Sequence, residues 1–106
     1  MAKQRRELPT RVGEVVQRYL ARSGLASRIA QAQVIPDWPT LVGPQIAAVT
    51  TPDRVGPDGT LIVRVSTSAW LAELHLMAPD IIARLNAGRP TGRITAIRWY
   101  LAHDRS

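Results

Sequence analysis

The chain has 106 residues, enough for one domain around a single hydrophobic core and too few for two. Apolar residues make up 45% of it, yet no apolar run approaches the roughly 20 residues needed to cross a bilayer, and none follows the basic opening as a secretory leader would require. A soluble protein of the cytoplasm is therefore expected, and the absence of cysteine excludes disulfides, thiolate metal ligands and thiol nucleophiles.

The net charge is +6 and it is unevenly spread. Residues 1–28 carry Lys3, Arg5, Arg6, Arg11, Arg18, Arg22 and Arg28 against Glu7 and Glu14, a balance of +5, and the remainder of the chain is close to neutral. Such a concentration favours an anionic partner, nucleic acid first and an acidic protein face second. A solubilising basic terminus is the plainer reading of the same residues. Thirteen of the fourteen cations are arginine, whose planar fork suits bidentate phosphate contacts.

In chain order, residues 1–9 read as a flexible basic arm that ends at Leu8-Pro9. Thr10 is placed to cap a helix in which Val12, Val15, Val16, Tyr19 and Leu20 recur at the spacing of an inward apolar stripe. Arg11, Arg18 and Arg22 fall opposite, with Glu14 four residues before Arg18 as a local partner, and Ser23-Gly24 ends the helix. Leu25 to Ala32 reads as a second helical segment with Leu25, Ile29 and Ala32 inward. Pro36, Pro39 and Pro44 then argue against one uninterrupted helix over 34–44 and for short helical turns, with Trp38, Leu41 and Val42 on one side.

From Ile46 the period changes. Ala48 to Val55 can be extended, Gly56-Pro57-Asp58-Gly59 is a turn, and Thr60 to Ser66 is a strand with Leu61, Val63 and Val65 on one face. Pro52 cannot donate to a ladder, so the first strand is expected at an edge, or irregular there. Thr67 or Ser68 caps a long helix with Trp70, Leu74, Met77, Ile81 and Leu85 in phase across Pro79, so one kinked helix or two abutting ones are expected, closed by Asn86-Ala87-Gly88. Arg93 to Leu101 is the last strand, with Ile97, Trp99 and Leu101 on one side, and residues 103–106 read as a frayed end. The order α-α-β-β-α-β gives an α+β fold: one three-stranded sheet packed on one face by helices, over residues 10–102.

No residue set looks catalytic. His75 and His103 are far apart in the chain and have no thiol to help them, so no metal site is expected. Ser66 and Ser68 lack a nucleophile elbow and read as caps, and Gly88-Arg89-Pro90-Thr91-Gly92-Arg93 lacks the ending of a phosphate loop and reads as a helix terminator. Binding is expected in place of turnover, with no cofactor and no small-molecule substrate. Trp38, Trp70 and Trp99 could stack bases, but their apolar phase assigns them to the core. Arg64, Arg93 and Arg98 could extend a basic surface along the strands or simply be solvated sheet positions.

Several segments together resemble one family: Trp38-Pro39-Thr40-Leu41-Val42-Gly43-Pro44-Gln45-Ile46-Ala47, Thr51-Pro52, Gly59-Thr60-Leu61-Ile62-Val63-Arg64-Val65, Ala69-Trp70-Leu71-Ala72-Glu73-Leu74 and Ile81-Ile82-Ala83-Arg84-Leu85-Asn86. In this order and with these gaps they are similar to the DciA-like domain, over about residues 10–101. The resemblance implies a fold similar to the K-homology domain, found in bacterial proteins that bind single-stranded DNA and help load the replicative helicase DnaB. The Gly-x-x-Gly loop of true K-homology domains has no counterpart, because Leu76-Met77-Ala78-Pro79-Asp80 contains no glycine. The matching residues Trp38, Gly43, Trp70 and Leu74 read as structural, with Gly43 permitting a turn between helix and strand.

The expected function is that of a DNA-replication accessory protein at the nucleoid. Lys3, Arg5, Arg6, Arg11, Arg18 and Arg22 are the expected contacts to single-stranded DNA, and another face docks on the helicase. A protein-interaction adaptor without direct DNA contact and an RNA-binding domain of K-homology type are the alternatives.

Overall fold

The structure, a computed structural model, describes residues 12–16, 18–19 and 24–102. The proposed arm over residues 1–9 and the end over 103–106 lie outside these. Residues 12–16 and 18–19 are helical. They are followed by α1 (Leu25–Ala32), α2 (Val34–Val42), α3 (Pro44–Ala47), β1 (Thr50–Val55), β2 (Thr60–Val65), α4 (Ser68–Asn86) and β3 (Ala96–Leu101). The mixed α+β class and the expected order of segments are thus observed, and both are compatible with a K-homology-like fold.

The sheet runs β1-β2-β3. β1 and β2 form an antiparallel hairpin, closed by Gly56 N–H donating to the Thr60 carbonyl at 2.8 Å. β2 and β3 are parallel, which requires a crossover, and α4 supplies it. Pro52 sits on an edge strand, as its missing N–H demands, and the register slips between Pro52 and Arg54 as a bulge.

The inward positions of β2, Leu61, Val63 and Val65, are fully buried. Against them pack Val34, Trp38 and Val42 from α2, Ile46 from α3, Leu74, Ile81 and Leu85 from α4, and Ile94 and Trp99 from the last crossing. Trp38 is 1% exposed, its indole N–H donates to Thr50 Oγ1 at 2.9 Å, and that hydroxyl donates to the Ile46 carbonyl at 2.7 Å. One indole therefore couples α2, α3 and β1 while keeping its polar atom satisfied. Trp99 meets Trp38 in a tilted ring pair with centroids 6.4 Å apart. Trp70 is only partly buried, packed against this cluster from outside it, so the core assignment holds fully for two of the three indoles.

Several local expectations are corrected. The helix over 34–44 is interrupted as expected, but at Gly43, and two of the three prolines lie inside the nine-residue α2. Pro36 is its third residue, where an N–H has no intrahelical acceptor, and Pro39 costs one backbone bond that burial of Val34, Trp38 and Val42 offsets. Gly43 turns the chain between two helices, not between helix and strand, at φ 92° and ψ 161°. No neighbour would crowd a Cβ there, so glycine is needed for the backbone conformation alone. α4 runs unbroken through Pro79, so Leu76 to Asp80 lies mid-helix and forms no loop. Its N-cap is Thr67, whose hydroxyl accepts from Trp70 N–H at 3.1 Å.

The largest departure is at the N-terminal side. Val12, Val15, Val16 and Tyr19 are 46–64% exposed, so their stripe does not face the core. In α1 the expected inward residues Leu25, Ile29 and Ala32 are also exposed, and Ser27, Ala30 and Gln31 are the more enclosed positions. The reason is the loop after α4. Gly92, at φ +70°, lies so close to α1 that a Cβ would stand 2.5 Å from the Ala30 Cβ and 2.8 Å from the Ser27 carbonyl oxygen. Arg89 donates to the Ala30 carbonyl and to the Leu85 carbonyl, and Gln31 Nε2 donates to the Arg93 carbonyl. α1 is held by backbone approach and polar clasps, not by its apolar residues.

Candidate nucleic-acid interface

Burial of Leu61, Val63 and Val65 toward the helices forces Thr60, Ile62 and Arg64 onto the opposite face of β2. Register carries this outward set to the neighbouring strands: Thr51 and Tyr100 flank Arg64, Arg54 and Arg98 flank Ile62, and Ala96 flanks Thr60. The helices leave this face open, as antiparallel and mixed sheets allow. It therefore presents Arg54, Arg64 and Arg98 together.

Arg54 is on this face because of the bulge. Strict alternation from buried Thr50 would point residue 54 inward; the extra residue at Asp53 resets the phase, so Asp53 and Arg54 both lie outward and Val55 returns toward the core. The two side chains approach to 3.9 Å, a loose and exposed ion pair. Such a pair contributes on the order of 0–1 kcal/mol and leaves the guanidinium free to exchange partners.

Asp53 has a second role. Its Oδ2 accepts from the Tyr100 hydroxyl at 3.1 Å, and since Asp53 is on β1 and Tyr100 on β3, this bond reaches over the central strand. At the hairpin end, Thr60 N–H donates to Asp58 Oδ1 at 3.1 Å and holds that carboxyl below its usual range, with Arg98 adding a smaller attraction. Thr95 N–H and Oγ1 donate to the Gly59 and Asp58 carbonyls, so the entry to β3 is fixed on the hairpin.

At the β1 edge, Arg54 also lines a cleft of about 480 Å³ with Arg28, Gln31 and Ala32 of α1, Ile35, and the Val55-Gly56-Pro57 segment. Arg28 thus extends the cationic surface from the sheet toward α1. A second groove of about 460 Å³ lies between Gln45 and Ile46 on one side and Ala69, Trp70, Glu73 and Met77 on the other. Among the described residues Glu73 is its one ionisable lining residue, so they offer apolar surface and no acid/base pair. Among the described residues no cluster of His, Asp or Glu could hold a metal ion, and no helix is long and apolar enough to cross a membrane.

Of the cations expected to contact DNA, Arg18 is described and is exposed on the N-terminal helical segment; Lys3, Arg5, Arg6, Arg11 and Arg22 lie outside the described residues. Among the described residues Arg54–Asp53 is the single ion pair, so the expected Glu14–Arg18 pair does not form. Arg64 and Arg98 are on the polar face as the strand alternation implied. Arg54 and Tyr100 escaped sequence reasoning, and Arg28 was counted in the basic segment without a place at the site: a bulge and a helix-to-hairpin cleft placed the two arginines. For Tyr100 the signal was available, since it alternates with inward Trp99 and Leu101. The family-pattern residues sit in the scaffold, with Trp38 and Leu74 buried, Gly43 at the α2–α3 turn and Trp70 on the rim of the second groove.

Residues 11–98 match the family model described as “Dna[CI] antecedent, DciA”. The chain is 32% identical over 91 residues to a UPF0232 protein of Streptomyces coelicolor, covering 85% of this chain and 48% of that one. It is 30% identical over 90 residues to a UPF0232 protein of Mycolicibacterium smegmatis and 27% identical to one of Mycobacterium leprae, again over 85% of this chain. It spans about half the length of these curated relatives. Because the family model matches most of the chain and a relative 32% identical is aligned over 85% of it, the chain belongs to the DciA family.

Proposed function

We propose that this protein acts in DNA replication, at the nucleoid, by binding single-stranded DNA through a basic surface and assisting the loading of the replicative helicase DnaB. Membership of the DciA family supports the helicase-loading role at the level of the family. The observation that carries the DNA half is the state of the arginines. Arg18, Arg28, Arg54, Arg64, Arg84, Arg93 and Arg98 are all exposed, and among the described residues only Arg54 has a carboxylate within ion-pair distance. Guanidinium groups left to solvent are free to replace the counterions of a phosphate backbone. The work is binding and docking, with no bond made or broken by the protein.

The test is a salt series. Affinity for a single-stranded oligonucleotide should fall with rising salt, with a log–log slope of about −0.7 for each phosphate neutralised. Alanine at Arg5, Arg6, Arg11, Arg18 and Arg22 together should weaken binding and flatten that slope. Absence of binding at low salt, or a slope and affinity untouched by the five replacements, would remove the basic N-terminal segment from the reading. Recovery of the helicase with tagged protein from nuclease-treated lysate tests the docking half, and its loss on nuclease treatment would mean that nucleic acid was the bridge.

A further inference from the structure

We infer that the open face of the sheet is where a single strand of DNA lies, with the Tyr100 ring as a stacking platform for one base and Arg54, Arg64 and Arg98 as its phosphate contacts. This rests on the reading that the protein binds single-stranded DNA, and adds the place and the mode.

Tyr100 alternates with inward-facing Trp99, so its ring stands on the outer face, 36% exposed. Its hydroxyl reaches Asp53 on the far strand, about 10 Å away across two strand spacings. A bond spanning β2 carries the side chain across the central strand on the open face, with part of the ring left to solvent. The ring is thus held in place before any ligand arrives, and little side-chain freedom is left to lose on stacking. Asp53 itself is positioned by the bulge, so the irregularity in β1 serves both the platform and Arg54.

Charge around the platform is arranged to match. Arg64 is the register partner of Tyr100, Arg98 lies two residues before it on the same face, and Arg54 stands across Ile62 from Arg98. The two carboxylates nearby are engaged, Asp53 with the tyrosine hydroxyl and Asp58 with the Thr60 amide. Arg28, across the cleft from Arg54, continues the cationic path off the edge of β1. A partly exposed aromatic ring among guanidinium groups fits an unpaired base on a phosphate backbone, whereas the bases of a duplex are already stacked on one another.

Fluorescence anisotropy can separate this from general basic attraction, with a thymidine oligomer of about twelve nucleotides and an abasic strand of equal length as probes. The wild-type protein should prefer the thymidine oligomer. Tyr100→Leu should lose about tenfold on that oligomer and little on the abasic strand, while Tyr100→Phe, which keeps the ring and loses its tether to Asp53, should fall between wild type and Tyr100→Leu, at about threefold. Arg64→Ala and Arg98→Ala should weaken both probes and reduce the salt slope. Equal wild-type affinity for the two probes, or Tyr100→Leu binding thymidine as the wild type does, overturns the platform while leaving single-strand binding intact. No wild-type binding to either probe overturns both. An oligoribonucleotide of the same length that outcompetes the thymidine oligomer overturns DNA as the ligand of this face.

Discussion

Two stretches of this chain carry apolar residues at helical spacing and meet opposite fates. In α4, Leu74, Ile81 and Leu85 are buried against β2 and β3, and the helix continues through Pro79 despite the lost backbone bond. In the N-terminal segment, Val12, Val15, Val16 and Tyr19 face solvent, and the next helix attaches through Ser27, Ala30 and Gln31 while Leu25 and Ile29 remain outside. A periodic stripe establishes that a helix has an apolar face. Whether that face is covered depends on a complementary surface elsewhere in the molecule, which is a property of tertiary structure.

The contrast can be broken most forcefully in the packed half. Trp38→Ala removes the indole that joins α2 to β1 and should cost about 3–5 kcal/mol in a denaturant titration. At the junction between the two regions, Gly92→Ala places a methyl group against Ala30 at a positive φ. The expected loss is roughly 2–5 kcal/mol, combining left-handed strain with overpacking. Hydrogen exchange sharpens that result: α1 amides should lose protection before those of α4 and β2, because the loop is what holds α1.

Asn86→Ala should cost about 2 kcal/mol in the same titration. The buried Asn86 side chain donates through Nδ2 to the Ile94 carbonyl at 2.9 Å and accepts from Ile94 N–H at 2.7 Å, and both groups would be stranded. A smaller effect is expected at the hairpin. The Asp58 carboxyl is held below its ordinary value of 3.8 in the folded protein, so its stabilisation is present above that value and disappears as pH falls through the folded one. The gap between wild type and Asp58→Ala, followed by thermal melting, should therefore close in acid. The smallest effect belongs to the exposed stripe, where Val15→Ser should change stability by no more than about 0.5 kcal/mol. A large loss there would show that the stripe is covered in solution.

Much of the scaffold was legible because its signals are local. The Gly56-to-Gly59 turn, the alternation of Leu61, Val63 and Val65, the Thr67 cap and the in-phase stripe of α4 each need only neighbouring residues to be recognised. The prolines of α2 misled because their cost is local while the burial of Trp38 that offsets it is not. The candidate interface was legible in part: alternation alone put Arg64 and Arg98 on the polar face, and the basic bias of residues 1–28 marked Arg18.

The amino-acid sequence determined by itself most of the helical and extended segments outside the proline-bearing α2, that Pro52 belongs at an edge or an irregularity, and that no thiol chemistry is available, since these follow from backbone dihedrals, hydrogen-bonding capacity and residue type. Only the tertiary structure decided that Asp53 bulges out and carries Arg54 with it, that Arg28 meets Arg54 across a cleft, and that the N-terminal valines stay uncovered. Strand register and the distance of closest approach between elements depend on all packed surfaces at once, and no window of neighbouring residues contains that information.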